Sequence, residues 1–189
     1  HVAAQFAGVY RVAAIDLSGH GDSGRRDYYS LATWCEEVVT VAEDADMAGP
    51  PIVIGHSMGG FVALATAATR GDQIAGAVIL DSAVTAPDPE METGRRSEFT
   101  NSKVYPDTET AIARFRTVPE QDHYEPFVMA HVAARVLVEV DGGFTWKFDP
   151  RIFLPARSAA HDLLPSVACR IALFRAENGL VTADIGAYM

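Results

Sequence analysis

The 189-residue sequence is poor in the features that mark several classes of protein. Its two cysteines, Cys35 and Cys169, lack the C-x-x-C spacing of a zinc site or a redox pair, so we expect buried free thiols and no metal. No uninterrupted apolar run approaches the ~20 residues that cross a bilayer. Lys and Arg number 15 against 25 Asp and Glu, a net charge of −10 that disfavours nucleic acid or anionic lipid as a partner. These deficits predict a cytoplasmic globular protein.

The sequence does contain enough apolar residues, 49%, to bury one sizeable core. Short apolar segments that predict buried strands lie at 9–17, 52–54, 74–80 and 171–174. Segments with helical periodicity or a helix-start signal lie at 30–48, at 61–69 and from about Thr182. Strands that alternate with helix-length segments predict a parallel sheet with crossover connections.

The middle of the chain departs from this alternation. Residues 111–115 and 128–140 are predicted to be helical, and 146–150 to be an ordered loop. We therefore expect residues 83–165 to be an insertion that covers one end of the sheet. The core would then comprise residues 1–82 and 166–189.

The most informative segment is Gly55-His56-Ser57-Met58-Gly59, a G-x-S-x-G motif between a predicted strand and a predicted helix. A serine at so tight a turn is held in a strained conformation, and the residues two positions away must then lack side chains. We therefore expect glycine to be required at both positions, Gly55 and Gly59. Gly60 is expected to let the helix approach the sheet. The turn would present the Ser57 hydroxyl at the helix N-terminus, where the backbone N–H of Met58 could stabilise an oxyanion.

Two motifs together resemble those of the α/β-hydrolase superfamily. One is the segment 55–60, and the other is the segment 16–23, which has the form D-x-x-G-x-G-x-S. The resemblance covers essentially the whole chain. It implies an α/β-hydrolase fold, with a mostly parallel sheet, helices on both faces and a mainly helical cap at 83–165. It also implies a Ser–His–acid triad that acts through an acyl-enzyme intermediate, with Ser57 as nucleophile.

The resemblance leaves two candidates for the acid of the triad. The family usually places it in the loop after the strand that follows the cap, here 175–179, but Asn178 and Gly179 stand where an aspartate is expected. Glu177 lies beside them and could serve. We call the G-x-S-x-G turn at 55–59 the elbow. Asp81 is the other candidate, because some members of the family carry the acid at the end of the strand that follows the helix after the elbow.

The resemblance places the catalytic histidine after the last strand, yet no histidine follows His161. The internal histidines, each expected to be a packing, surface or motif residue, are His20, His56, His123, His131 and His161. Residues 1–8 are expected to be the end of a helix, so the loop that carries the second oxyanion donor would also be missing. The sequence is therefore interpreted as truncated at both ends and, as given, inactive.

The resulting prediction is a serine hydrolase of a small, apolar ester or other carbonyl substrate, with no cofactor. The alternative is a non-catalytic ligand-binding or scaffold protein of the same fold. Five apolar residues of the inserted region could line a substrate pocket or pack the cap onto the core: Phe127, Met129, Trp146, Phe148 and Phe153. The sequence does not predict an oligomeric state.

Overall fold

The structure is a computed structural model, and the residues it describes are 2–6, 8–45, 47–86, 103–117, 120, 124–153 and 158–189. The α-helices are α1 (Val2–Phe6), α2 (Leu31–Asp44), α3 (Met58–Thr69), α4 (Thr108–Ala113), α5 (Pro126–Arg135), α6 (Ser158–His161) and α7 (Ala183–Tyr188). The strands are β1 (Ile52–His56), β2 (Gly76–Leu80), β3 (Leu137–Val140), β4 (Gly143–Trp146) and β5 (Ile171–Phe174). Short 3-10 helices cover Pro150–Phe153 and Leu164–Ser166.

The central sheet is parallel, in the order β1-β2-β5. His56 pairs with Leu80, and Leu80 pairs with Phe174. The carboxyl ends of all three strands therefore meet at one edge of the sheet. Ser57 directly follows β1 and Asp81 directly follows β2, so both lie at that edge. Ligands of open α/β sheets bind there.

Helix α3 packs against β1 and β2, and α2 packs against α3. The sequence of α3 is apolar around its whole circumference, which is typical of a helix buried on several sides. Ala63, Leu64 and Ala67 are fully buried within it. Ser30 caps helix α2, because its Oγ accepts a hydrogen bond from the backbone N–H of Thr33, and the helix ends at Asp44, before the predicted residue 48. Within the described residues, no helix has the length and apolar character to cross a bilayer.

The predicted strand at 9–17 is wrong. Residues 11–17 carry no strand pairing, and Val9, Tyr10 and Val12 are 77%, 63% and 46% exposed. A β-branched apolar run becomes a buried strand only where a neighbouring strand satisfies its backbone groups and a second layer covers its side chains. Among the described residues, no strand pairs with this segment.

The predicted helix over 128–140 is partly wrong, whereas the loop predicted over 146–150 is present at 147–149, between the end of β4 at Trp146 and the 3-10 helix that begins at Pro150. Helix α5 ends at Arg135, and β3 and β4 form an antiparallel hairpin around Asp141-Gly142. Gly142 has φ +85°, a conformation that glycine adopts without strain. The alternating residues on either side of an Asp-Gly pair are a hairpin signal, and it outweighs the apolar content that suggested a longer helix.

The end of the chain agrees with the sequence prediction in its elements but not in its burial. Strand β5 is present, and Thr182 caps α7 by accepting a hydrogen bond from the N–H of Ile185. However, Ile171 is 37% exposed and Phe174 is 59% exposed, because β5 is an edge strand.

Both cysteines are free thiols, as predicted, but they differ in burial. Cys35 is buried, and its Sγ lies 3.3 Å from Oγ1 of Thr69. Cys169 is only partly buried, because it lies in the connection just before the edge strand β5, so the prediction of two buried thiols holds for Cys35 alone.

Candidate active site

Ser57 lies at the turn between β1 and α3 in a conformation that few residues adopt. Its φ of 51° and ψ of −115° are outside the regions favoured for residues with a side chain. Such strain costs on the order of 1–3 kcal/mol and persists only where the surroundings enforce it. The residue is half-buried, and its side chain makes no capping hydrogen bond to α3. The hydroxyl and the first N–H groups of α3 thus do not satisfy each other.

The steric basis of the turn differs in part from the prediction. A Cβ on Gly55 would lie 2.0 Å from the carbonyl oxygen of Gly59, so residue 55 has no room for a side chain. A Cβ on Gly60 would lie 1.9 Å from Oγ of Ser82, so Gly60 does allow α3 to approach the sheet. A Cβ on Gly59, in contrast, would meet nothing within 4 Å. The predicted requirement for glycine at 59 is therefore wrong, since the close contact involves the backbone of that residue.

Hydrogen bonds tie the elbow to the next strand. The backbone N–H of Ser57 donates to the carbonyl of Leu80 over 3.2 Å. The hydroxyl of Ser82 donates to the carbonyl of Ser57 over 2.8 Å. These bonds extend the pairing of β1 and β2 beyond the strands, and they fix the position of Ser57 relative to residues 80–82.

Met58, the candidate oxyanion donor, is the first residue of α3. N–H groups in the first turn of a helix have no partner within the helix, and they lie at the positive end of its dipole. The side chain of Met58 packs against a buried cluster of Tyr29, Trp34, Val62 and Ile152, which we call the aromatic cluster. The first turn of α3 is thereby attached to the loop and helix that precede β1.

Asp81, one of the two candidate acids, directly follows β2 and has φ 46°. Its Oδ1 accepts hydrogen bonds from the backbone N–H groups of Ala176 and Val181, and its Oδ2 accepts one from Leu180. A Cβ on Gly179 would lie 2.2 Å from Oδ2, so the missing side chain at 179 makes room for the carboxylate. The loop 175–181 therefore surrounds the carboxylate of Asp81.

These contacts decide the protonation of Asp81. Partial burial raises the pKa of the carboxyl, but the N–H donors of Leu180, Val181 and Ala176 and the charge of His56 outweigh burial and hold its pKa below the usual range. Asp81 is therefore ionised at neutral pH. Glu177, the other candidate, is exposed in the turn of the same loop.

The histidines occupy different surroundings. His56 is exposed at the end of β1. The ring of His20 packs edge-on to Trp34 at 5.8 Å, and burial lowers its pKa. His131 on α5 contacts Arg135, and His161 on α6 contacts the hydroxyl of Tyr188. The prediction for His123 lies outside the described residues.

A buried charged group that sequence reasoning missed joins the segment 147–152 to Tyr29, which lies just before α2. Asp149 is 3% exposed, and its Oδ2 accepts hydrogen bonds from the hydroxyl of Tyr29 at 2.9 Å and from Nη2 of Arg151 at 2.7 Å. These bonds lower the pKa of Asp149 to about 2, with the Arg151 side chain as the largest cause. The available signal was a lone acid between an aromatic residue and a proline, Phe148-Asp149-Pro150.

The apolar residues predicted to line a pocket are not gathered at one place. Phe127 is 64% exposed on α5. Trp146 packs edge-on to Tyr105 and Phe115. Phe148 packs against the aromatic cluster. Met129 is partly exposed, and the side chain of Phe153 lies outside the described residues.

One groove, of about 750 Å³, lies between the loop 15–26 and α2. Its lining includes Asp16, Arg26 and Glu37 but neither Ser57 nor Asp81, so it is separate from the elbow. The described residues contain no group of three His, Cys, Asp or Glu side chains that could hold a metal ion.

Known proteins resemble this chain in both sequence and fold. Lipase LipV of Mycobacterium tuberculosis is 31% identical over 175 residues, which cover 87% of this chain and 63% of LipV. The pyrethroid hydrolase of Sphingobium wenxiniae is 35% identical over 86 residues, 44% of this chain and 30% of that protein. The chain thus spans less than two thirds of the length of these relatives.

The solved structure of E-2-(acetamidomethylene)succinate hydrolase superposes with a TM-score of 0.80 at 20% identity, over 99% of this chain and 71% of that one. At this identity the likeness concerns the fold alone. It agrees with the mostly parallel sheet, and the predicted fold class is confirmed. The family model described as "Alpha/beta hydrolase family" matches residues 1–184. With the elbow at Ser57 and this match over most of its length, the chain belongs to the alpha/beta hydrolase family.

Proposed function

We propose that the protein is a serine hydrolase that cleaves a small, apolar ester or related carbonyl substrate through an acyl-enzyme intermediate. The observation that carries the proposal is the strained backbone of Ser57 at the N-terminus of α3. Strain of this kind in a residue with a polar side chain is typical of a functional site, since a purely structural turn would be filled by glycine at lower cost.

In the proposed reaction, Ser57 Oγ attacks the substrate carbonyl and transfers its proton to a histidine base. The N–H of Met58 donates to the oxyanion that forms, and the alcohol leaves with the proton that the base returns. Water then attacks the acyl-serine, the same base takes its proton and returns it to Ser57 Oγ as the C–O bond to the serine breaks, and the acid product is released. This chemistry needs no cofactor or metal.

We assign the acid of the triad to Asp81 rather than Glu177. Three backbone donors hold the Asp81 carboxylate, and a carboxylate offers about four lone-pair positions, so one position is left for an imidazole N–H. Its ionised state at neutral pH suits an acid that orients and stabilises an imidazolium. Glu177 is exposed, where solvent weakens any such interaction.

The preference for an ester substrate is supported by what the relatives are named for, a lipase and a pyrethroid hydrolase. We further propose that residues 83–165 form a cap inserted between the core segments 1–82 and 166–189, and that this cap selects the substrate. The net charge of −10 supports a small-molecule partner rather than nucleic acid or membrane, and a cytoplasmic location remains part of the same proposal.

The test is labelling of the intact natural protein with a fluorophosphonate probe, which reacts with activated serine nucleophiles. We expect the wild-type protein to be labelled and Ser57→Ala to lose all labelling. Ser166→Ala, which changes an exposed serine in the 3-10 helix Leu164–Ser166, is the matched control and should be labelled like wild type. Equal labelling of the Ser57→Ala protein would refute the nucleophile. A folded wild-type protein that is never labelled would favour a non-catalytic ligand-binding protein of the same fold.

A further inference from the structure

The loop 17–22 and the segment 147–152 are joined along their backbones. The N–H of Gly21 donates to the carbonyl of Lys147 over 2.8 Å, and the N–H of Asp149 donates to the carbonyl of Gly19 over 2.7 Å. His20 and Phe148 form an isolated antiparallel bridge between these bonds. A segment of the inserted region is thus paired with a loop of the core.

The Asp149 carboxylate reinforces this junction from inside. Besides the bond from Tyr29, it accepts bonds from the backbone N–H and the Nε of Arg151, at 3.0 and 3.1 Å to Oδ1. The hydroxyl of Tyr29 in turn accepts a bond from the N–H of Arg26 over 3.0 Å. Tyr29 therefore connects the buried carboxylate to the backbone of Arg26, which follows the loop 17–22.

The same side chains lead to the elbow. Tyr29 stacks on Trp34 at 6.0 Å, and the Nε1 of Trp34 donates to the carbonyl of Ser18. Tyr29 and Trp34 belong to the aromatic cluster, against which Met58 packs. A displacement of Tyr29 would consequently act on the first turn of α3.

We propose that Asp149, with Tyr29 and Arg151, is a positioning site that fixes the N–H of Met58 relative to Ser57. The inference rests on the proposed function, since it concerns the oxyanion donor of that reaction. The Asp149 carboxylate is buried while Arg151 is partly exposed, and the hydrogen bonds from Tyr29 and Arg151 limit the orientations that these side chains can adopt. The physical role of the cluster is therefore to set geometry.

The consequence is specific to the transition state. An oxyanion donor stabilises charge that develops only during the attack, so its displacement lowers kcat and leaves KM nearly unchanged. If the cluster had a merely structural role, substitutions in it would lower the unfolding temperature without changing kcat in the folded protein.

The experiment measures kcat and KM for a p-nitrophenyl ester, together with the rate of fluorophosphonate labelling, in the intact natural protein well below its unfolding temperature. Tyr29→Phe removes one hydroxyl and keeps the Asp149–Arg151 pair. We expect it to lower kcat and the labelling rate about tenfold, with KM within about twofold of wild type. Asp149→Asn is expected to lower kcat further. Circular dichroism establishes that each variant is folded.

Lys147→Gln is the matched control, because the ion pair between Lys147 Nζ and Asp22 Oδ1 at 2.6 Å joins the same two segments at the surface. Its kcat should remain that of wild type. A folded Tyr29→Phe protein with unchanged kcat and labelling rate would overturn the inference, and so would an equal loss in Lys147→Gln. Absence of labelling in wild type would refute the proposed function itself, and this inference with it.

Discussion

At the residue scale, two non-glycine residues in the described part of the chain have a positive φ, Ser57 and Asp81. Each directly follows a parallel strand, and the two strands are neighbours. An aspartate tolerates the left-handed region better than most residues do. Ser57, with ψ near −115°, lies outside that region and is strained. The coincidence of strain with the proposed nucleophile and acid is the reason to treat both as one site.

Glycine substitutions test the steric account of the elbow. Gly55→Ala should destabilise the protein by at least about 2 kcal/mol, because its methyl group would lie 2.0 Å from the backbone oxygen of Gly59. Gly59→Ala should keep or raise stability by up to about 1 kcal/mol, since it adds a helix-favouring residue in open space. Urea unfolding of both variants gives the comparison. Similar losses at the two positions would contradict it.

Single substitutions distinguish the two candidate acids of the triad. Asp81→Asn should lower kcat for a p-nitrophenyl ester at least about a hundredfold, because the amide cannot stabilise an imidazolium and directs N–H groups at backbone donors. Glu177→Gln should leave kcat within about twofold of wild type. Steady-state assays of the intact natural protein measure both. If Glu177→Gln lost activity and Asp81→Asn kept it, the assignment of the acid would be reversed.

At the element scale, the connections between strands and helices hold more of the site than the helices do. The loop 175–181 supplies the donors to Asp81, and the segment 147–152 supplies the buried carboxylate next to the loop 17–22. Neither segment has regular secondary structure over its whole length. Both are held by specific hydrogen bonds, so single substitutions there should have measurable effects.

The junction at Asp149 should make stability depend on pH in acid. The pKa of Asp149 is lowered to about 2 in the folded protein, so its contribution is complete above the unfolded-state pKa near 3.8 and is lost as pH falls toward about 2. The contribution at neutral pH is on the order of 2 kcal/mol. Urea unfolding at a series of pH values should show this decline in wild type, and less of it in Asp149→Asn. The same pH dependence in both proteins would exclude Asp149 as its source.

At the scale of the whole molecule, the acidic charge and the parallel sheet have separate consequences. The sheet places the ends of β1, β2 and β5 at one edge, which brings residues far apart in sequence to one site. The net charge of −10 is a property of the whole chain and does not mark any one site. It governs which large partners the protein can approach.

The charge predicts weak adsorption to anionic surfaces. Sedimentation with vesicles of phosphatidylserine should recover no more protein than sedimentation with phosphatidylcholine at low salt, because the like charges repel within the Debye length. Vesicles of equal size and lipid concentration serve as the comparison. Preferential recovery with phosphatidylserine would reveal a local basic surface that the overall charge conceals.

The sequence by itself determined the elements that depend on local patterns. The G-x-S-x-G segment predicted the turn at Ser57, since few residue combinations permit that backbone. Helices were predicted from about residues 30 and 182, and in the structure the hydroxyls of Ser30 and Thr182 cap helices that begin there. The parallel order of the core followed from the alternation of strand-like and helix-like segments.

Only the tertiary structure decided what depends on distant partners. Residues 9–17 have the composition of a strand but no paired neighbour among the described residues, and Asp81 differs from Glu177 through donors almost a hundred positions away. Asp149 is recognisable only once Tyr29 is beside it. Backbone strain and helix caps depend on neighbouring residues in the sequence. Burial and hydrogen-bond partners depend on which distant segments the fold brings together.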